Sequence, residues 1–291
     1  MGMTGSKSGW ALIAPPALYA LALLVVPLTA VVVLSFFTQD YLTLDTTPTL
    51  ENYRTVLLAP GFEGQLPRTL LARSLIVAAL VTLFTVLLAY PIAYYVSFHV
   101  RPERKSLWLF LITIPFWTSY LVRVFLWKVI LNFDGVINRS LINLGLIEEP
   151  IRAFLYSPTA VVITLTHAFA PFAILPIFVA LEKIDRPLLE ASRDLGEGTL
   201  RTFLRVTLPL SMPGVVAAVL IVFIPTIGDY VTPRLVGGPD GLMIANLIQS
   251  QFGRLSNAPM GATLAVISMA AVGIISLVFV LLTRRWTRRS A

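Results

Sequence analysis

Residues 181–209 read LEKIDRPLLEASRDLGEGTLRTFLRVTLP, a strongly charged segment in an otherwise apolar chain. Two stretches without any Asp, Glu, Lys or Arg adjoin it, residues 153–181 and 206–228. An α-helix needs roughly 20 mostly apolar residues to cross the hydrocarbon core of a bilayer. Both stretches are long enough, so the charged segment is predicted to connect two membrane-spanning helices.

The charged segment itself is patterned as two short amphipathic helices. Asp185 and Pro187 predict the start of the first helix, and Gly196 predicts its end. Thr199 is expected to cap a second helix, which Pro209 should end before the next span begins. A helical hairpin of this kind at a membrane surface is a docking element, or else it lies on the surface with no partner. The apolar and small side chains expected on one face of the first helix are Leu188, Ala191, Ser192 and Leu195.

The remainder of the chain has the composition of an integral membrane protein. Hydrophobic residues make up 57% of the 291 positions and charged residues 13%, whereas soluble domains carry about 25% charged residues. The first apolar window is much longer than the 7–15 apolar residues typical of a signal peptide, so it is interpreted as an uncleaved span. We predict an all-α protein with one transmembrane domain, residues 1–291. Its six predicted spans are residues 11–37, 69–98, 107–131, 159–181, 209–230 and 261–283. They are predicted to be helices because lipid offers no hydrogen-bond partners to backbone groups.

The distribution of positive charge predicts the orientation of the spans. Of the 22 Lys and Arg residues, 13 fall in segments that are inside if the N-terminus is inside, and six fall in the outside segments. The other three, Arg73, Arg123 and Lys128, lie within spans. This bias follows the positive-inside rule, so both termini are predicted to be cytoplasmic. Because the positive charges follow this membrane orientation, the net charge of +7 does not indicate a nucleic-acid partner.

Several classes of function are excluded by what the sequence lacks. The chain has no cysteine, which removes disulfides, thiolate catalysis and zinc–cysteine sites. It has no G-x-x-x-x-G-K-[ST] segment to cradle a nucleotide phosphate. Neither H-E-x-x-H nor G-x-S-x-G occurs. We therefore expect neither an enzyme nor a resident cofactor, and any ATP chemistry would belong to a partner.

The segment at residues 182–209 resembles the EAA loop of permease subunits in binding-protein-dependent ABC importers. The match consists of Glu190-Ala191-Ser192, Gly196, and the later aromatic and Leu-Pro positions, Phe203, Val206 and Leu208-Pro209. Ser192 stands where the family has a second alanine, a change from one small residue to another. Three further segments resemble the spermidine/putrescine branch: WALIAPPALYALALLVVPL (10–28), FWTSYLVRVFLW (116–127) and IGDYVTPRLVGG (227–238).

The resemblance implies a type I permease fold in the bacterial inner membrane. It also implies a homologous second permease subunit, two ATP-binding subunits that hold ATP and Mg, and a periplasmic solute-binding protein. In that family the EAA loop sits in a groove of the ATPase and transmits its closure to the spans. By the same resemblance, the residues of this chain that would contact the ATPase are Glu190, Ala191, Ser192, Asp194 and Gly196.

A pathway for a small cation is suggested at the outer ends of the third and fifth spans. Trp117, Tyr120 and Trp127 fall within roughly one face of the third span, and aromatic faces attract alkylammonium groups. Ordinary packing or, for Trp127, anchoring at the membrane interface is the alternative. Asp134, which follows the third span, is a weaker candidate for the same pathway.

Asp229, followed by Tyr230, is the acid at the outer end of the fifth span. Pro225 removes one donor and frees the carbonyl of Ile221, and a carboxylate with a spare carbonyl would suit an ammonium group. The alternative is a helix-end charge that faces water. Arg123 argues mildly against a cation path unless it pairs with an acid or faces the partner subunit.

Two other functions remain open at this point. A secondary transporter usually needs paired ionisable groups deep in the membrane, and here His167 alone lies mid-span. We expect His167 to be a packed, hydrogen-bonded side chain rather than a proton relay. Relatives of the polyamine branch import other small solutes, such as opines or amino-acid-like compounds, and the sequence does not exclude them.

Overall fold

The computed structural model describes residues 5–41, 43–151 and 154–287, with the backbone alone at residues 5–12 and 285–287. The chain divides into two units, which are described separately. The first comprises Met1–Arg68 and Leu247–Met269, and the second comprises Thr69–Asn246 and Ala270–Ala291. Some basic side chains that entered the charge count lie outside the described side chains, namely Lys7, Arg152, Arg285, Arg288 and Arg289.

The first unit holds the N-terminal helix, a small hairpin and the ends of three helices. In chain order its complete elements are α1 (Gly5–Leu34), β1 (Thr38–Asp40), β2 (Thr43–Asp45) and α2 (Glu51–Leu58). The two strands pair antiparallel with Thr38 opposite Asp45. The remaining helices, which continue into the second unit, are α3 (Phe62–Phe98), α11 (Ile244–Gly253) and α12 (Ala258–Thr287).

Within the first unit, Gln39 attaches the hairpin to the start of α12. Its side-chain nitrogen donates to the carbonyl of Ser256, and its side-chain oxygen accepts from the backbone N–H of Ala258 at 3.2 Å. Thr263, one turn further along α12, donates to the carbonyl of Ser35 at 3.0 Å. These bonds satisfy backbone groups at the end of α1 and the start of α12, where helix geometry leaves them unpaired.

The second unit is built around α7 (Pro158–Glu182) and α10 (Leu208–Gly228). Gly214 lies where these two helices come closest, since an added Cβ would stand 2.5 Å from Ala180 Cβ and 2.5 Å from the carbonyl oxygen of Pro176. The other elements of this unit are α4 (Pro102–Thr113), α5 (Tyr120–Ile130), α6 (Val136–Asn143), α8 (Arg186–Asp194) and α9 (Thr199–Thr202).

Among the described residues, five helices are long and apolar enough to cross a membrane. They are α1 from Ile13, α3, α7, the continuous helix Thr199–Gly228, and α12 to Arg284. The pair Pro102–Trp117 and Tyr120–Ile130 makes a sixth if it crosses as one broken span. The predicted all-α class is confirmed, and the predicted count of six depends on that pair.

The third predicted span, residues 107–131, is wrong as a continuous helix. The chain leaves α4 through a 3₁₀ turn, Ile114–Trp117, and enters α5 at an angle of 87°. Pro115 removes a backbone donor at this point, and Thr118 and Ser119 adopt extended ψ angles of 142° and 137°. The hydropathy of the stretch carries no sign of a break of this kind, because it reports apolarity and not backbone continuity.

The prediction that Pro209 ends the second helix of the charged segment is also wrong. The chain runs as one helix from Thr199 to Gly228, and a π-helical turn, Phe203–Thr207, precedes α10. The N–H of Leu208 donates to the carbonyl of Phe203, five residues earlier. Because Pro209 has no N–H to offer the turn before it, the wider turn lets the helix continue through the proline.

Candidate functional site

The first helix of the EAA loop (residues 182–209) is α8, and its limits follow the sequence signals. Asp185 stands at the N-cap, although its side chain makes no capping hydrogen bond. The helix ends just before Gly196, whose φ is +85°. L-residues with a side chain adopt this left-handed conformation at a cost of roughly 1–2 kcal/mol, which is why a glycine suits the position. The backbone of Gly196 therefore fixes the direction in which the chain returns.

Polar contacts hold the two arms of the EAA loop together. The hydroxyl oxygens of Ser192 and Thr202 lie 3.1 Å apart, within hydrogen-bond distance. Glu197, in the turn, forms an ion pair with Arg205 and approaches Arg201 to 4.0 Å. Ser192, which replaces an alanine of the family pattern, thus supplies a bond that alanine lacks.

Phe203 attaches the second arm of the loop to the membrane helix α3. Its ring meets the rings of Tyr90 and Tyr94 at centroid distances of 5.6 and 6.1 Å, both nearly perpendicular. Edge-to-face contacts of this kind contribute about 0.5–1.5 kcal/mol beyond the area they bury. The hydroxyl oxygen of Tyr90 lies 2.7 Å from that of Ser211 in α10. Movement of the loop is therefore mechanically linked to α3 and α10.

The tip of the EAA loop presents an exposed mixture of acidic, small and apolar side chains. Glu190, Ala191 and Asp194 are exposed along α8. Leu195 and Leu200, on either side of the glycine turn, leave 84% and 70% of their surfaces uncovered. Large apolar side chains at such exposure mark a surface that binds another molecule when they are clustered.

Glu182 closes the base of the loop at the end of α7. Its Oε1 atom accepts from the hydroxyl of Ser97 and from the ammonium group of Lys105, each at 2.6 Å. The side chains of Lys105 and Glu182 are 12% and 35% exposed, so the lysine is shielded from water while the carboxylate remains accessible. It connects the end of α3, the start of α4 and the end of α7.

At the opposite end of α10, Asp229 and Tyr120 are joined. The Tyr120 hydroxyl lies 2.5 Å from Asp229 Oδ2 and 2.6 Å from the hydroxyl of Thr232. Asp229 Oδ1 accepts from the backbone N–H groups of Val231 at 2.9 Å and Thr232 at 3.3 Å. Asp229 is partly buried, and this arrangement ties α5 to the end of α10. Thr232, fully buried, was not singled out from the sequence.

No hydrogen bond joins the side chains of the other predicted pathway residues to Asp229 in the described part of the chain. Trp117 lies in the 3₁₀ turn before the break, 81% exposed, so it does not share a helix face with Tyr120 as the sequence suggested. The side chain of Tyr230 is 45% exposed, and its carbonyl accepts from Asn246 at 2.7 Å. Asp134 is exposed in the turn between α5 and α6.

The carbonyl of Ile221 does not reach Asp229. The two residues are eight positions apart, which corresponds to about 12 Å along a helix axis at 1.5 Å per residue. The expectation that a proline-freed carbonyl helps Asp229 to receive an ammonium group stays a prediction. Backbone amides and the Tyr120 hydroxyl surround the carboxylate.

Trp127 and His167 form a pair between α5 and α7. The indole nitrogen of Trp127 donates to Nδ1 of His167 at 3.1 Å, and the two rings meet edge to face at 5.3 Å. The hydrogen bond expected of His167 is present, but the side chain is exposed rather than fully packed. The indole of Trp127 is tied to a neighbouring helix rather than standing free as an anchor.

Arg123 is a buried cation that the sequence reasoning undervalued. It is 8% exposed and donates to the backbone carbonyls of Pro115, Thr118 and Ala168. An ionisable residue inside an apolar span is costly and marks function by default, and this signal was present in the sequence. Because hydropathy concealed the break, the acceptors of Arg123 could not be identified.

The pattern of a known membrane-protein family covers most of this chain. The family described as binding-protein-dependent transport system inner membrane component matches residues 79–290, which include the EAA loop, Tyr120 and Asp229. The chain belongs to this family. It is accordingly a multi-pass inner membrane protein and the permease component of its transport system.

Several curated relatives of this binding-protein-dependent permease are more than a third identical to it over the aligned residues. The spermidine/putrescine transport system permease protein PotB of Escherichia coli (strain K12) is 38% identical over 231 residues, which cover 79% of this chain and 81% of PotB. The protein of the same name in Haemophilus influenzae is 38% identical over 242 residues, covering 83% of this chain and 82% of the relative. The inner membrane ABC transporter permease protein YdcU of Escherichia coli (strain K12) is 34% identical, with 82% and 78% covered.

Solved structures show the same fold at low sequence identity. A chain of the bacterial alginate ABC transporter in complex with alginate pentasaccharide-bound periplasmic protein superposes with a TM-score of 0.70 and 16% identity. The match covers 96% of this permease and 94% of that chain. A chain of the inward-facing MetNI methionine ABC transporter gives a TM-score of 0.57 at 19% identity, covering 77% and 97%. The permease therefore has the fold of ABC transporter membrane subunits.

Proposed function

We propose that this chain is the permease subunit of an ATP-driven importer for spermidine, putrescine or a similar small polyamine. The observation that carries the substrate class is the 38% identity to permeases named for these two compounds, over about four fifths of both chains. The acidic Asp229 beside aromatic side chains is in keeping with a cationic substrate. The chain forms one half of the translocation pathway.

The importer contains further subunits. A homologous second permease supplies the other half of the pathway, two ATP-binding subunits hold ATP and Mg, and a periplasmic binding protein delivers the substrate. The permease itself needs no cofactor. The exposed tip of the EAA loop is the surface that meets an ATPase, and Glu190, Ala191, Ser192, Asp194 and Gly196 carry this contact. The leucines at the tip supply apolar area, and the acids can pair with cations of the ATPase.

The permease crosses the membrane six times with both termini in the cytoplasm and residues 1–291 in one transmembrane domain. The bent pair α4–α5 is the third span, and the positive-charge bias places the EAA loop inside. A cytoplasmic reporter fused after Arg289 is expected to be active, and a periplasmic reporter at the same point should be silent. The opposite result would remove one crossing, and the α4–α5 pair would then be a re-entrant loop.

Asp229 receives an ammonium group of the substrate at the end of α10 remote from the EAA loop. Its Oδ1 already accepts two backbone amides, while Oδ2 accepts only the Tyr120 hydroxyl among the described residues. A carboxylate offers about four lone-pair sites, so Oδ2 can accept one more donor. The exposed rings of Trp117 and Tyr230 supply faces for the alkyl chain and its charge, and Asp134 is a secondary acid on the same route.

The experiment that tests the proposed function is concentration-dependent polyamine uptake by the complete transporter carrying Asp229→Asn. This change keeps the size of the side chain and one acceptor oxygen, but it removes the charge and replaces the second acceptor with an amide donor. Loss of a charged hydrogen bond costs about 1.5–3 kcal/mol, so the apparent affinity should fall roughly tenfold to a hundredfold. Asp240→Asn, an exposed acid in a nearby 3₁₀ turn, is the matched control and should leave uptake unchanged. ATP hydrolysis without substrate should be the same in all three proteins.

Two outcomes would contradict this proposal in different ways. Uptake curves that coincide for wild type and Asp229→Asn would reduce Asp229 to a structural cap of the segment after α10. Stimulation of ATP hydrolysis by an opine or an amino acid, with no response to polyamines, would replace the substrate class while leaving the permease assignment intact.

A further inference from the structure

Arg123 is a charged side chain enclosed by α5, α7 and the break that precedes α5. It lies four positions into α5 and is 8% exposed. In the described part of the chain no carboxylate lies within ion-pair distance of its guanidinium group. Burying an unpaired charge is expensive, so an arginine kept here needs a compensating set of acceptors. Backbone carbonyls accept from its Nη1 and Nη2 atoms, while the buried Nε has no partner among the described residues.

Two of the carbonyls belong to the break itself. The Nη2 atom of Arg123 donates to Pro115 and to Thr118, the latter at 3.2 Å. Thr118 also turns back on Pro115, with its hydroxyl 2.8 Å and its backbone nitrogen 3.4 Å from the same carbonyl oxygen. A chain that leaves helical geometry inside a membrane must satisfy such groups internally. Arg123 therefore contributes the charged donor that stabilises the 87° bend.

The third carbonyl fixes the bend to the core of the second unit. The Nη1 atom of Arg123 lies 3.4 Å from the carbonyl oxygen of Ala168, in the middle of α7. Ala168 is 2% exposed, so this attachment point is firmly packed. One guanidinium group thus joins the turn before the break to the helix beside it.

The residue placed most directly by this arrangement is Tyr120. It is the first residue of α5, directly after the break and one helical turn before Arg123. Its hydroxyl reaches Asp229 at 2.5 Å. A small rotation of α5 about the break would be enough to carry the hydroxyl out of hydrogen-bond range, because such bonds weaken beyond about 3 Å.

We propose that Arg123 is the positioning residue that sets Tyr120 against Asp229, and so tunes how tightly the permease takes up its cationic substrate. This inference rests on the proposed role of Asp229. The planar guanidinium group serves two carbonyls of the break and one of α7 at the same time, which a lysine ammonium at the end of a flexible chain does less well. Arg123→Lys should retain part of the effect, and Arg123→Gln should lose most of it.

Uptake kinetics of the complete transporter test the proposal. Arg123→Gln is expected to raise KM on the order of tenfold, or about 1.4 kcal/mol, at an unchanged Vmax per inserted transporter. A role in folding alone would lower the amount of inserted transporter while leaving KM unchanged. Arg123→Lys should give an intermediate KM. The exposed Arg139 of α6 supplies the control, since Arg139→Gln should change neither constant.

A double-mutant cycle asks whether Arg123 acts through Tyr120. If it does, Arg123→Gln combined with Tyr120→Phe should raise KM no further than the larger single change, because residues in one network are not additive. KM values that multiply across the two changes would overturn the proposal. An unchanged KM in Arg123→Gln would also overturn it. If Asp229→Asn still weakened uptake, the proposed function would stand without this role for Arg123.

The geometry of the break can be followed without any transport measurement. The chain has no cysteine, so Ser119→Cys, an exposed position whose side chain caps no helix, introduces a single thiol next to the break. Its rate of reaction with a maleimide should change several-fold in Arg123→Gln, less in Arg123→Lys and not at all in Arg139→Gln. An identical rate in all four proteins would show that Arg123 does not hold the bend. A changed rate in Arg123→Gln would keep the bend assigned to Arg123 even if KM were unaltered in Asp229→Asn. That unaltered KM would contradict the role of Asp229 as the receiving site.

Discussion

The ring of Phe203 meets the ring of Tyr90 edge-on, with 5.6 Å between centroids and 89° between planes. Phe203 belongs to the EAA loop, and Tyr90 belongs to α3, which is long enough to span the membrane. Since the Tyr90 hydroxyl lies 2.7 Å from that of Ser211 in α10, one aromatic pair connects the loop to two long helices. Displacement of the loop by an ATPase would reach both helices through these contacts.

Phe203→Ala should weaken the transmission between ATP hydrolysis and transport. The change removes the two edge-to-face contacts, each worth about 0.5–1.5 kcal/mol, and leaves the exposed tip of the loop intact. The two contacts together contribute about 1–3 kcal/mol, so substrate-stimulated ATP hydrolysis is expected to fall roughly fivefold to a hundredfold while the ATPases still bind. Leu204→Ala, at a position that is 51% exposed, is the neighbouring control. Equal stimulation in wild type and Phe203→Ala would show that the aromatic contact carries no signal.

Substitutions at Gly196 should act through the backbone rather than through crowding. A Cβ added there would meet no heavy atom within 4 Å, but the φ of +85° costs a β-branched residue more than it costs asparagine. The expected order of coupled transport is therefore Gly, then Asn, then Val. Gly198→Val, at a turn glycine with ordinary φ and equally open surroundings, serves as the control. If Gly196→Asn and Gly196→Val transport equally well, the left-handed turn is not needed for coupling.

The sequence was sufficient for features that depend on local chemistry. Apolar length predicts the long helices because the bilayer imposes a minimum span, and Gly196 predicts the end of α8 because few other residues adopt its backbone conformation. The EAA pattern also indicates the family, because its small residues, glycine and Leu-Pro occur at fixed spacings.

Features that depend on contacts between distant residues could not be foreseen. The break at Thr118 lies inside residues 106–122, which contain no charged side chain, and the acceptors of Arg123 include a carbonyl 45 positions further along the chain. Asp229 was found as a lone acid at a helix end, but its partner Tyr120 stands 109 positions earlier. Nothing in the local pattern distinguishes a carboxylate that receives a tyrosine hydroxyl from one that faces water.

Gly214 is the position where the packing of α7 against α10 should tolerate least change. In Gly214→Ala the new methyl carbon would stand 2.5 Å from both Ala180 Cβ and the Pro176 carbonyl oxygen, far inside van der Waals contact. Overpacking of a tight core typically costs about 1–3 kcal/mol, and here the obstacles are backbone and a Cβ that cannot rotate away.

The purified transporter carrying Gly214→Ala should therefore unfold at a lower temperature than wild type in the same detergent. Gly273→Ala is the matched control, since Gly273 also lies within a long helix, α12, but an added Cβ meets nothing within 4 Å. Removing a helical glycine there should be neutral or should stabilise the protein by up to about 1 kcal/mol. A Gly214→Ala protein as stable as Gly273→Ala would mean that α7 and α10 separate without cost, and that their contact is not the rigid centre of the second unit.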